Sequence, residues 1–290
     1  MQKSNPKKSL RPPQSQDKPG EENKMRPLPV FDNPSNIGSG KLANKIAFIT
    51  GGDSGIGKAV AVLFAKEGAD IAIVYLKDEE KDAEETKNVI EQKYNRRCLL
   101  IDADISKEKS CTNAVAKAVK HFGRIDVLVN NAAVHWESKS LEDITTKQLE
   151  KTFETNVYSF FWITKAALKD MPKGSAIINT TSVTAYRGSA DLIDYASTKA
   201  AIVGFTRSLA QNLIEKGIRV NAVAPGPIWT PLVVSTFDGD KVAKHGSDVP
   251  MKRAGEPVEV APSFLFLACD DSGYITGQVL HPNGGEIVNG

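Results

Sequence analysis

A glycine-rich segment near the start of the chain places the strongest constraint on its fold. Gly51, Gly55 and Gly57 lie between an apolar run at residues 45–49, which predicts a buried strand, and a helical segment at residues 58–68. At such a junction, free backbone N–H groups and the helix dipole attract an anion. Glycines also let the backbone approach a pyrophosphate closely. The G-x-x-x-G-x-G spacing, with these flanks, predicts a dinucleotide-binding loop.

Strand-like and helix-like segments alternate along the rest of the chain. This order predicts an α/β fold, with one parallel sheet of about seven strands covered by helices on both faces. Further strands are expected at residues 71–75, 98–101, 125–130, 176–181, 218–223 and 278–281. Helices are expected near residues 79–93, 107–122, 146–169, 194–216 and 257–269. Ligands bind such sheets at the carboxyl ends of the strands.

A tyrosine and a lysine four residues apart indicate the chemistry. Tyr195 and Lys199 begin a predicted helix, where residues four apart lie on the same face. An ammonium beside a phenol favours the phenolate, so Lys199 is expected to lower the pKa of Tyr195 towards working pH. A general acid/base for a hydroxyl-to-carbonyl conversion needs such a group. Ser182, at the end of the fifth strand, is a candidate to hold the reacting oxygen.

In combination, these motifs make the chain similar to a known family. It resembles the short-chain dehydrogenase/reductases over about residues 41 to 285 through its glycine loop, Asn130-Asn131-Ala132, Ser182, Tyr195, Lys199 and Pro225-Gly226. The details of the glycine loop and of the segments at 224–231 and 277–285 resemble one branch. That branch contains bacterial general stress oxidoreductases, NADP-dependent aldehyde reductases and glucose/ribitol dehydrogenase homologues. The resemblance implies a single Rossmann-type doubly wound sheet.

The resemblance also implies a catalytic tetrad of Asn156, Ser182, Tyr195 and Lys199. Ser182 and Tyr195 would hydrogen-bond the substrate carbonyl oxygen while nicotinamide delivers hydride and Tyr195 gives up its proton. Lys199 would hold the nicotinamide ribose, and Asn156 would hold a water that connects Lys199 to solvent. The expected enzyme is an NAD(P)-dependent oxidoreductase that interconverts a carbonyl compound and an alcohol.

The cofactor contacts follow from the same resemblance. They are expected at Gly51, Asp53, Ser54, Gly55, Ile56, Gly57, Leu76, Lys77, Asp104, Ile105, Asn131, Ala132, Ala133, Tyr195, Lys199, Pro225, Gly226, Ile228 and Thr230. Ala133 stands where the family usually has glycine, which adds a methyl group near the adenosine half of the site. Asp104 has two open interpretations, a contact with adenine or the N-cap of the next helix.

The choice between NAD and NADP stays open from the sequence. NAD-selective members carry an acid at the end of the second strand, which binds the ribose 2′-hydroxyl. Here that strand ends in Leu76 and Lys77, which permits a 2′-phosphate. Asp53 in the glycine loop and the acidic run at residues 78–80 oppose a phosphate, because like charges repel.

Composition excludes several other classes of protein. The chain has 290 residues, with 41% hydrophobic and 25% charged residues, as expected for a globular protein. It has no apolar run near the ~18 residues of a membrane span, so no membrane partner is expected. Its net charge is +2, and the body lacks the concentrated basic face that nucleic acid requires. Cys98, Cys111 and Cys269 are scattered, which indicates reduced thiols and a cytoplasmic location. The four histidines show no metal-ligand spacing.

Residues 1–40 are expected to lie outside the catalytic domain, which would span residues 41–290. Seven prolines and almost no apolar periodicity predict a disordered or extended arm. The simpler interpretation is a tolerated tail. The alternative is an arm that wraps a neighbouring subunit, with residues 25–31 as its anchor.

Assembly and substrate are less constrained. The helices at 146–169 and 194–216 carry more apolar residues than one sheet-facing stripe explains, and with the family resemblance this predicts a homotetramer. The long segment at 229–257 is typical of a lid over a small-molecule carbonyl or alcohol substrate. Five aromatic residues are candidates either to line the pocket or to pack in the core: Trp229, Phe237, His135, Trp136 and Tyr186. A catalytically idle dinucleotide sensor is the alternative function, although all four tetrad positions are filled.

Overall fold

A seven-stranded parallel sheet forms the centre of the protein. The computed structural model describes residues 8–288. The strands are β1 (Ile46–Thr50), β2 (Asp70–Tyr75), β3 (Cys98–Asp102), β4 (Val127–Asn130), β5 (Ala176–Thr180), β6 (Arg219–Val223) and β7 (Val279–Leu280). They are all parallel and pair in the order β3-β2-β1-β4-β5-β6-β7. The Rossmann-type prediction is confirmed, and the order reverses between β1 and β4, where such sheets bind ligands.

Helices cover both faces of the sheet. The α-helices are α1 (Gly55–Lys66), α2 (Glu80–Asn88), α3 (Glu108–Phe122), α4 (Thr146–Phe153), α5 (Ser159–Ala167), α6 (Thr184–Arg187), α7 (Ile193–Asn212), α8 (Pro231–Val234), α9 (Gly239–Ala243) and α10 (Pro257–Ala268). The single helix predicted at 146–169 is interrupted, because a π-helical turn at Glu154–Tyr158 joins α4 to α5. A second π-helical turn, Val89–Lys93, extends α2.

The strands alternate their side chains between two hydrophobic cores. In β1, Ala47 and Ile49 pack with Phe64 of α1 and Phe264 of α10 on one face of the sheet. Phe48, between them in sequence, packs on the opposite face with residues of α3, α5 and β4. All of these side chains are buried, as the near-continuous apolar runs of the strands predict for a sheet covered on both faces. This packing fixes the carboxyl ends of the strands, where the site lies.

The N-terminal arm runs extended along the surface of its own chain. Met25 is fully buried in a third hydrophobic cluster, with Trp229, Val233, Val234, Val242 and Ala254. Backbone hydrogen bonds join Gln16 N to Val234 O at 2.8 Å, and the Trp229 indole N–H donates to the carbonyl of Pro27 at 2.9 Å. Within one chain, the expected anchor of the arm therefore packs on the segment that follows β6. The division of the chain at residue 40 stays a prediction. No helix among residues 8–288 is long and apolar enough to cross a membrane.

Candidate active site

The glycine loop between β1 and α1 has a shape that side chains would prevent. Gly51 and Gly55 have positive φ angles of 62° and 52°. A Cβ atom on Gly57 would lie 1.7 Å from the carbonyl oxygen of Gly51. The loop can therefore close tightly only with glycine at these positions. It leads into the N-terminus of α1, capped by the extended Ser54, where free N–H groups favour an anion.

A cavity of about 950 Å³ opens beside this loop at the carboxyl ends of the strands. Most predicted cofactor contacts line it: Gly51, Asp53, Ser54, Gly55, Ile56, Leu76, Asp104, Ile105, Asn131, Ala132, Ala133, Tyr195, Lys199, Pro225, Gly226, Ile228 and Thr230. The volume is at the upper end of the ~300–1,000 Å³ of typical ligand sites, as a dinucleotide with its substrate requires.

Two predicted contacts do not line the cavity. Gly57 lies behind the loop, where its missing side chain makes room for Gly51. Lys77 is exposed on a 3-10 turn after β2, and Glu79 of the same turn lines the cavity instead. The Glu79 carboxylate accepts a hydrogen bond from Leu76 N at 3.1 Å. The direction of this turn decides which side chain faces inward, and no sequence pattern predicts that direction.

Asp53 lies at the same end of the cavity. Its side chain is 2% exposed, and its Oδ1 has no hydrogen-bond partner among the described residues. Burial, together with the nearby Glu79 carboxylate, raises the pKa of Asp53 well above its usual range. A buried acceptor without a partner is costly unless a ligand satisfies it. A ribose hydroxyl of a bound dinucleotide would satisfy this oxygen. The glycine loop also fits a dinucleotide, because its backbone can approach the cofactor closely.

Asp104 lines the cavity without capping a helix. Its Oδ1 accepts a hydrogen bond from Ser106 N at 3.0 Å and lies 3.6 Å from the Lys151 ammonium. The N-cap of α3 is Lys107, so the helix-cap interpretation of Asp104 is wrong. The adenine contact stays a prediction.

Asn131 joins the loops that follow three strands. Its side-chain N–H groups donate to the carbonyls of Thr50 and Gly51, and its Oδ1 accepts from the Thr180 hydroxyl. Thr50, Asn131 and Thr180 stand at or just beyond the ends of β1, β4 and β5. The neighbouring strand ends are thereby held in one arrangement at the cavity.

The structure brings Ser182, Tyr195 and Lys199 together on the cavity wall. The Lys199 ammonium lies 5.4 Å from the centroid of the Tyr195 ring and donates to the carbonyl of Thr180 at 2.9 Å. The Thr181 hydroxyl donates to the backbone carbonyl of Lys199 at 2.6 Å. These bonds dock the start of α7 against the end of β5. As a result, the tyrosine and lysine predicted four residues apart face the same space as the serine.

Burial dominates the protonation of this group. It raises the pKa of Tyr195 to about 12, although the nearby Ser182 side chain acts in the opposite direction. It also lowers the pKa of Lys199 to about 7. The expected lowering of the Tyr195 pKa by Lys199 is therefore not observed. Desolvation disfavours the phenolate and the ammonium alike, and it outweighs the attraction between them.

Asn156 supports the site from behind the cavity wall. It lies in the π-helical turn between α4 and α5 and is fully buried. Its Oδ1 accepts from Val134 N and its Nδ2 donates to Val134 O, both at 2.8 Å. Nδ2 also lies 3.2 Å from the Thr198 hydroxyl, beside Lys199. The side chain thus links the segment after β4 to α7, and a π-helical turn frequently marks a functional position.

Aromatic residues form part of the substrate end of the cavity. His135, Trp136 and Phe237 line it, whereas Trp229 and Tyr186 do not. Trp229 is a fully buried packing residue beside the arm. The His135 ring lies edge-on to the Tyr195 ring with centroids 4.9 Å apart. Burial lowers the pKa of His135 to about 3, so its imidazole is neutral at physiological pH.

The arm also contacts the glycine loop, which the sequence did not indicate. The Glu22 carboxylate accepts hydrogen bonds from Gly55 N at 2.7 Å and from Lys58 Nζ at 2.8 Å. Glu22 and Lys58 are both almost fully buried. Burial raises the pKa of Glu22, and the Lys58 ammonium opposes that rise. The arm therefore helps to position the first turn of α1.

Comparison with known protein families decides the assignment. Residues 51–286 match the family model described as enoyl-(acyl carrier protein) reductase. The NADPH-dependent aldehyde reductase 1 of Arabidopsis thaliana is 54% identical, over 93% of this chain and 96% of its own. The chain belongs to the short-chain dehydrogenase/reductase family. As a member, it is an NAD(P)-dependent oxidoreductase.

Two further relatives agree with this membership. The glucose and ribitol dehydrogenase of Daucus carota is 50% identical, over 96% of this chain and 98% of its own. A short-chain dehydrogenase from Burkholderia cenocepacia, solved in complex with NADP, superimposes with a TM-score of 0.79. It is 34% identical and covers 84% of this chain and 98% of its own. The predicted family and its branch are confirmed.

Proposed function

We propose that the protein reduces aldehydes or sugar-like carbonyl compounds to alcohols, and catalyses the reverse oxidation, with Tyr195 as the general acid/base. The observation that carries this proposal is the placement of Tyr195, Ser182 and Lys199 on the wall of the cavity that the glycine loop borders. The reaction needs one proton donor and one hydrogen-bond donor at the reacting oxygen, and Tyr195 and Ser182 supply them.

The chain's residues have separate tasks in this mechanism. A bound nicotinamide dinucleotide supplies the hydride in reduction and accepts it in oxidation. Ser182 and Tyr195 hold the reacting oxygen, and Tyr195 transfers the proton to it or from it. Lys199 holds ribose hydroxyls and lies beside the phenol of Tyr195. The side-chain amide of Asn156 is bonded to Val134 and Thr198, so it positions the segment after β4 against α7 beside Lys199.

The protonation of Tyr195 gives the two directions different pH dependences. A pKa of about 12 keeps the phenol protonated at neutral pH, which is the form that donates a proton in reduction. Oxidation needs the phenolate as base, and its fraction rises as pH rises towards the pKa. The proposed enzyme is therefore prepared for reduction at neutral pH and oxidises best in alkaline solution.

The residues at the adenosine end of the cavity support the use of both NAD and NADP, with little preference for either cofactor. Glu79 and Asp53 disfavour a 2′-phosphate, although burial raises the pKa of both carboxyl groups and so reduces their negative charge. The aldehyde reductase from Arabidopsis is NADPH-dependent by name, and the Burkholderia relative was solved with NADP. These relatives support NADP as one of the two cofactors.

A cofactor-oxidation screen tests the proposed function. Purified protein is mixed with NADPH or NADH and with aldehydes, sugars and ketones, and absorbance at the nicotinamide wavelength is followed. Turnover of at least one carbonyl class is expected, because all the catalytic side chains lie on the cavity wall or directly behind it. Tight cofactor binding with no turnover of any compound would instead favour a dinucleotide sensor.

We also propose a homotetrameric assembly in the cytoplasm. Phe161 of α5 is 51% exposed and its ring contacts the tilted ring of Phe205 of α7, and the nearby Tyr158 and Leu149 are 47% and 42% exposed. These exposed apolar side chains lie on the helical segments from which the sequence predicts subunit contacts. They support burial of this surface against a second subunit. The cytoplasmic location rests on the three cysteines, which are free and buried. Light scattering that gives a monomer at micromolar concentration would contradict the assembly.

A further inference from the structure

The arm brings a lysine into the substrate end of the cavity. Lys18 lines the same cavity as Tyr195. Its Nζ donates to the Thr236 hydroxyl at 2.5 Å, and that hydroxyl donates to the backbone carbonyl of His135 at 3.3 Å. The His135 ring in turn packs edge-on against the Tyr195 ring. Two hydrogen bonds and one ring contact therefore connect Lys18 to the proposed general acid.

Contacts on both sides hold this part of the arm in place. Gly20 packs so closely on the first residue of α8 that a Cβ atom would lie 2.6 Å from the carbonyl oxygen of Pro231. Gln16 is hydrogen-bonded through its backbone to Val234, and Met25 is fully buried. Lys18 lies between these fixed points, so its direction into the cavity is determined by the arm's packing. It differs in this respect from a mobile surface lysine.

Lys18 has a positive charge that the described residues leave unbalanced. Among residues 8–288, no carboxylate lies within ion-pair distance of its ammonium. By contrast, Lys241 of the same cavity binds both Glu137 and Asp191. The hydrogen bonds that the Lys241 ammonium donates to these carboxylates raise its pKa, whereas partial desolvation by nearby protein atoms lowers the pKa of Lys18 to about 8. Lys18 itself stays exposed to solvent, so its ammonium is open to a ligand and has no carboxylate of the described residues beside it.

The ammonium of Lys18 also keeps donors that the protein does not use. An ammonium group has three N–H donors, and the described residues take one of them, through Thr236. The Trp136 ring lies beneath the Lys18 ammonium at 5.6 Å, and the neighbouring His135 is neutral. An accessible ammonium on the cavity wall with free donors can bind an anionic oxygen of a ligand, which forms short charge-assisted hydrogen bonds.

We propose that Lys18 is a specificity-determining residue that binds an anionic oxygen of the substrate, a carboxylate or a phosphate carried away from the reacting carbonyl. This inference rests on the proposed carbonyl reduction and gives it a substrate class. The arm is then a part of the active site, because it supplies the group that distinguishes charged from neutral carbonyl compounds.

Matched aldehydes test the inference. Butanal is compared with 4-oxobutanoate, which adds a carboxylate to the same carbon chain, and glyceraldehyde is compared with its 3-phosphate. One anionic aldehyde is expected to exceed its neutral counterpart in kcat/KM by about tenfold or more, mainly through KM, because hydrogen bonds to charged groups contribute this much. Lys18→Met is expected to remove that advantage and to lower kcat/KM for the anionic aldehyde by about tenfold more than kcat/KM for butanal. Whichever anion shows the advantage identifies carboxylate or phosphate as the recognised group.

Two matched variants separate recognition from folding. Lys18→Arg keeps the cation and is expected to retain most of the preference. Lys24→Met removes another positive charge from the arm, at an exposed lysine outside the cavity, and is expected to behave as wild type. Equal wild-type rates for both members of each pair would overturn the inference. Equal losses on neutral and anionic aldehydes in Lys18→Met would also overturn it, since they would indicate a structural role for Lys18.

A binding measurement distinguishes failure of the inference from failure of the proposed function. If no aldehyde is turned over, the proposed reduction is wrong. Calorimetric titration of the NADP-loaded wild type and Lys18→Met with 4-oxobutanoate and with inorganic phosphate still decides whether Lys18 binds anions. Binding of one of them that weakens by about tenfold or more in the variant supports the anion site. Identical titrations would contradict it.

Discussion

The two halves of the cavity are built in different ways. The inner half comprises the glycine loop and Ser182, Tyr195 and Lys199, and it is held by strand ends and by helices that pack on both faces of the sheet. The outer half comprises residues 16–25 of the arm with α8 and α9, and it is held by one small hydrophobic cluster, a few backbone hydrogen bonds and the buried ion pair of Glu22 with Lys58. Because of this difference, we expect the two halves to have different roles. Chemistry and cofactor binding depend on the rigid inner half, whereas substrate selection depends on the outer half, which can change without disturbing the sheet.

Removing the Tyr195 hydroxyl should give the largest effect in the inner half. Tyr195→Phe deletes the transferable proton and leaves the packing of the ring against His135, so kcat is expected to fall by about a thousandfold or more. Cofactor affinity should stay within about threefold of wild type. Lys199→Ala should weaken both, because Lys199 is assigned to the ribose as well. Steady-state kinetics and fluorescence titration with NADPH measure the two quantities. A Tyr195→Phe enzyme with near-wild-type kcat would show that another group transfers the proton.

A methyl group in the glycine loop should impair cofactor binding. Gly57→Ala places a Cβ atom 1.7 Å from the carbonyl oxygen of Gly51, so the loop must shift. A displacement of that order is expected to weaken NADPH binding by about a hundredfold. Gly123→Ala is the matched control, because a Cβ there meets nothing within 4 Å, although its positive φ makes it strained. If Gly57→Ala binds NADPH as the wild type does, the inner half is less rigid than its packing indicates.

The pH dependence of oxidation tests the protonation of the inner half. The pKa of Tyr195 is raised, so its basic form is scarce at neutral pH and increases about tenfold with each pH unit. We expect kcat/KM for alcohol oxidation to rise without a plateau from pH 7 to pH 9, by up to about a hundredfold. Aldehyde reduction should not show this rise, since the phenol is already protonated. A plateau below pH 8 in the oxidation profile would show that Lys199 lowers the pKa of Tyr195 more than burial raises it.

Loosening the arm should affect substrate binding more than chemistry. Met25→Ala removes a fully buried side chain that joins the arm to Trp229, at a cost of about 2–5 kcal/mol in local packing. Since the outer half is held by few contacts, we expect KM for the best carbonyl substrate to rise by about tenfold and kcat to change by less than about threefold. Limited proteolysis should cut the variant within the arm first. Equal losses of kcat and substrate affinity would mean that loosening the arm at Met25 also displaces Glu22, which positions the first turn of α1.

The smallest effects are expected at the adenosine end. Glu79 lines the cavity and Lys77 does not, so Glu79→Gln should shift preference towards NADP by about tenfold or less. Lys77→Ala should change the ratio by about twofold or less, because its exposed charge is screened. The measured quantity is the ratio of kcat/KM with NADPH to that with NADH. A larger effect from Lys77 than from Glu79 would show that the turn after β2 rearranges when the cofactor binds.

Local constraints made much of the inner half predictable from the sequence. Gly57 and its neighbours encode a backbone path that other residues cannot follow, and the four-residue spacing of Tyr195 and Lys199 fixes a helix face. The strand ends could be placed by the alternation of apolar runs with helices. Their positions differ from prediction by only one or two residues at most ends, because burial on both faces leaves the strands little freedom.

The remaining features depend on tertiary contacts that sequence patterns do not show. Lys18 and Glu22 reach the cavity and the glycine loop only because the arm packs on distant segments. Glu79 faces the cavity and Lys77 does not because of the direction of a single turn. The raised pKa of Tyr195 follows from burial, whereas the sequence shows only the neighbouring Lys199.

Transfer of a labelled hydrogen tests the central claim most directly. NADPH carrying deuterium at C4 of the nicotinamide, prepared in both stereochemical forms, is incubated with the protein and the aldehyde that it reduces best, and the alcohol is analysed by mass spectrometry. We predict one deuterium on the former carbonyl carbon from one of the two forms and none from the other, with transfer nearly lost in Tyr195→Phe. Alcohol that contains no deuterium from either form would contradict direct hydride transfer at this site.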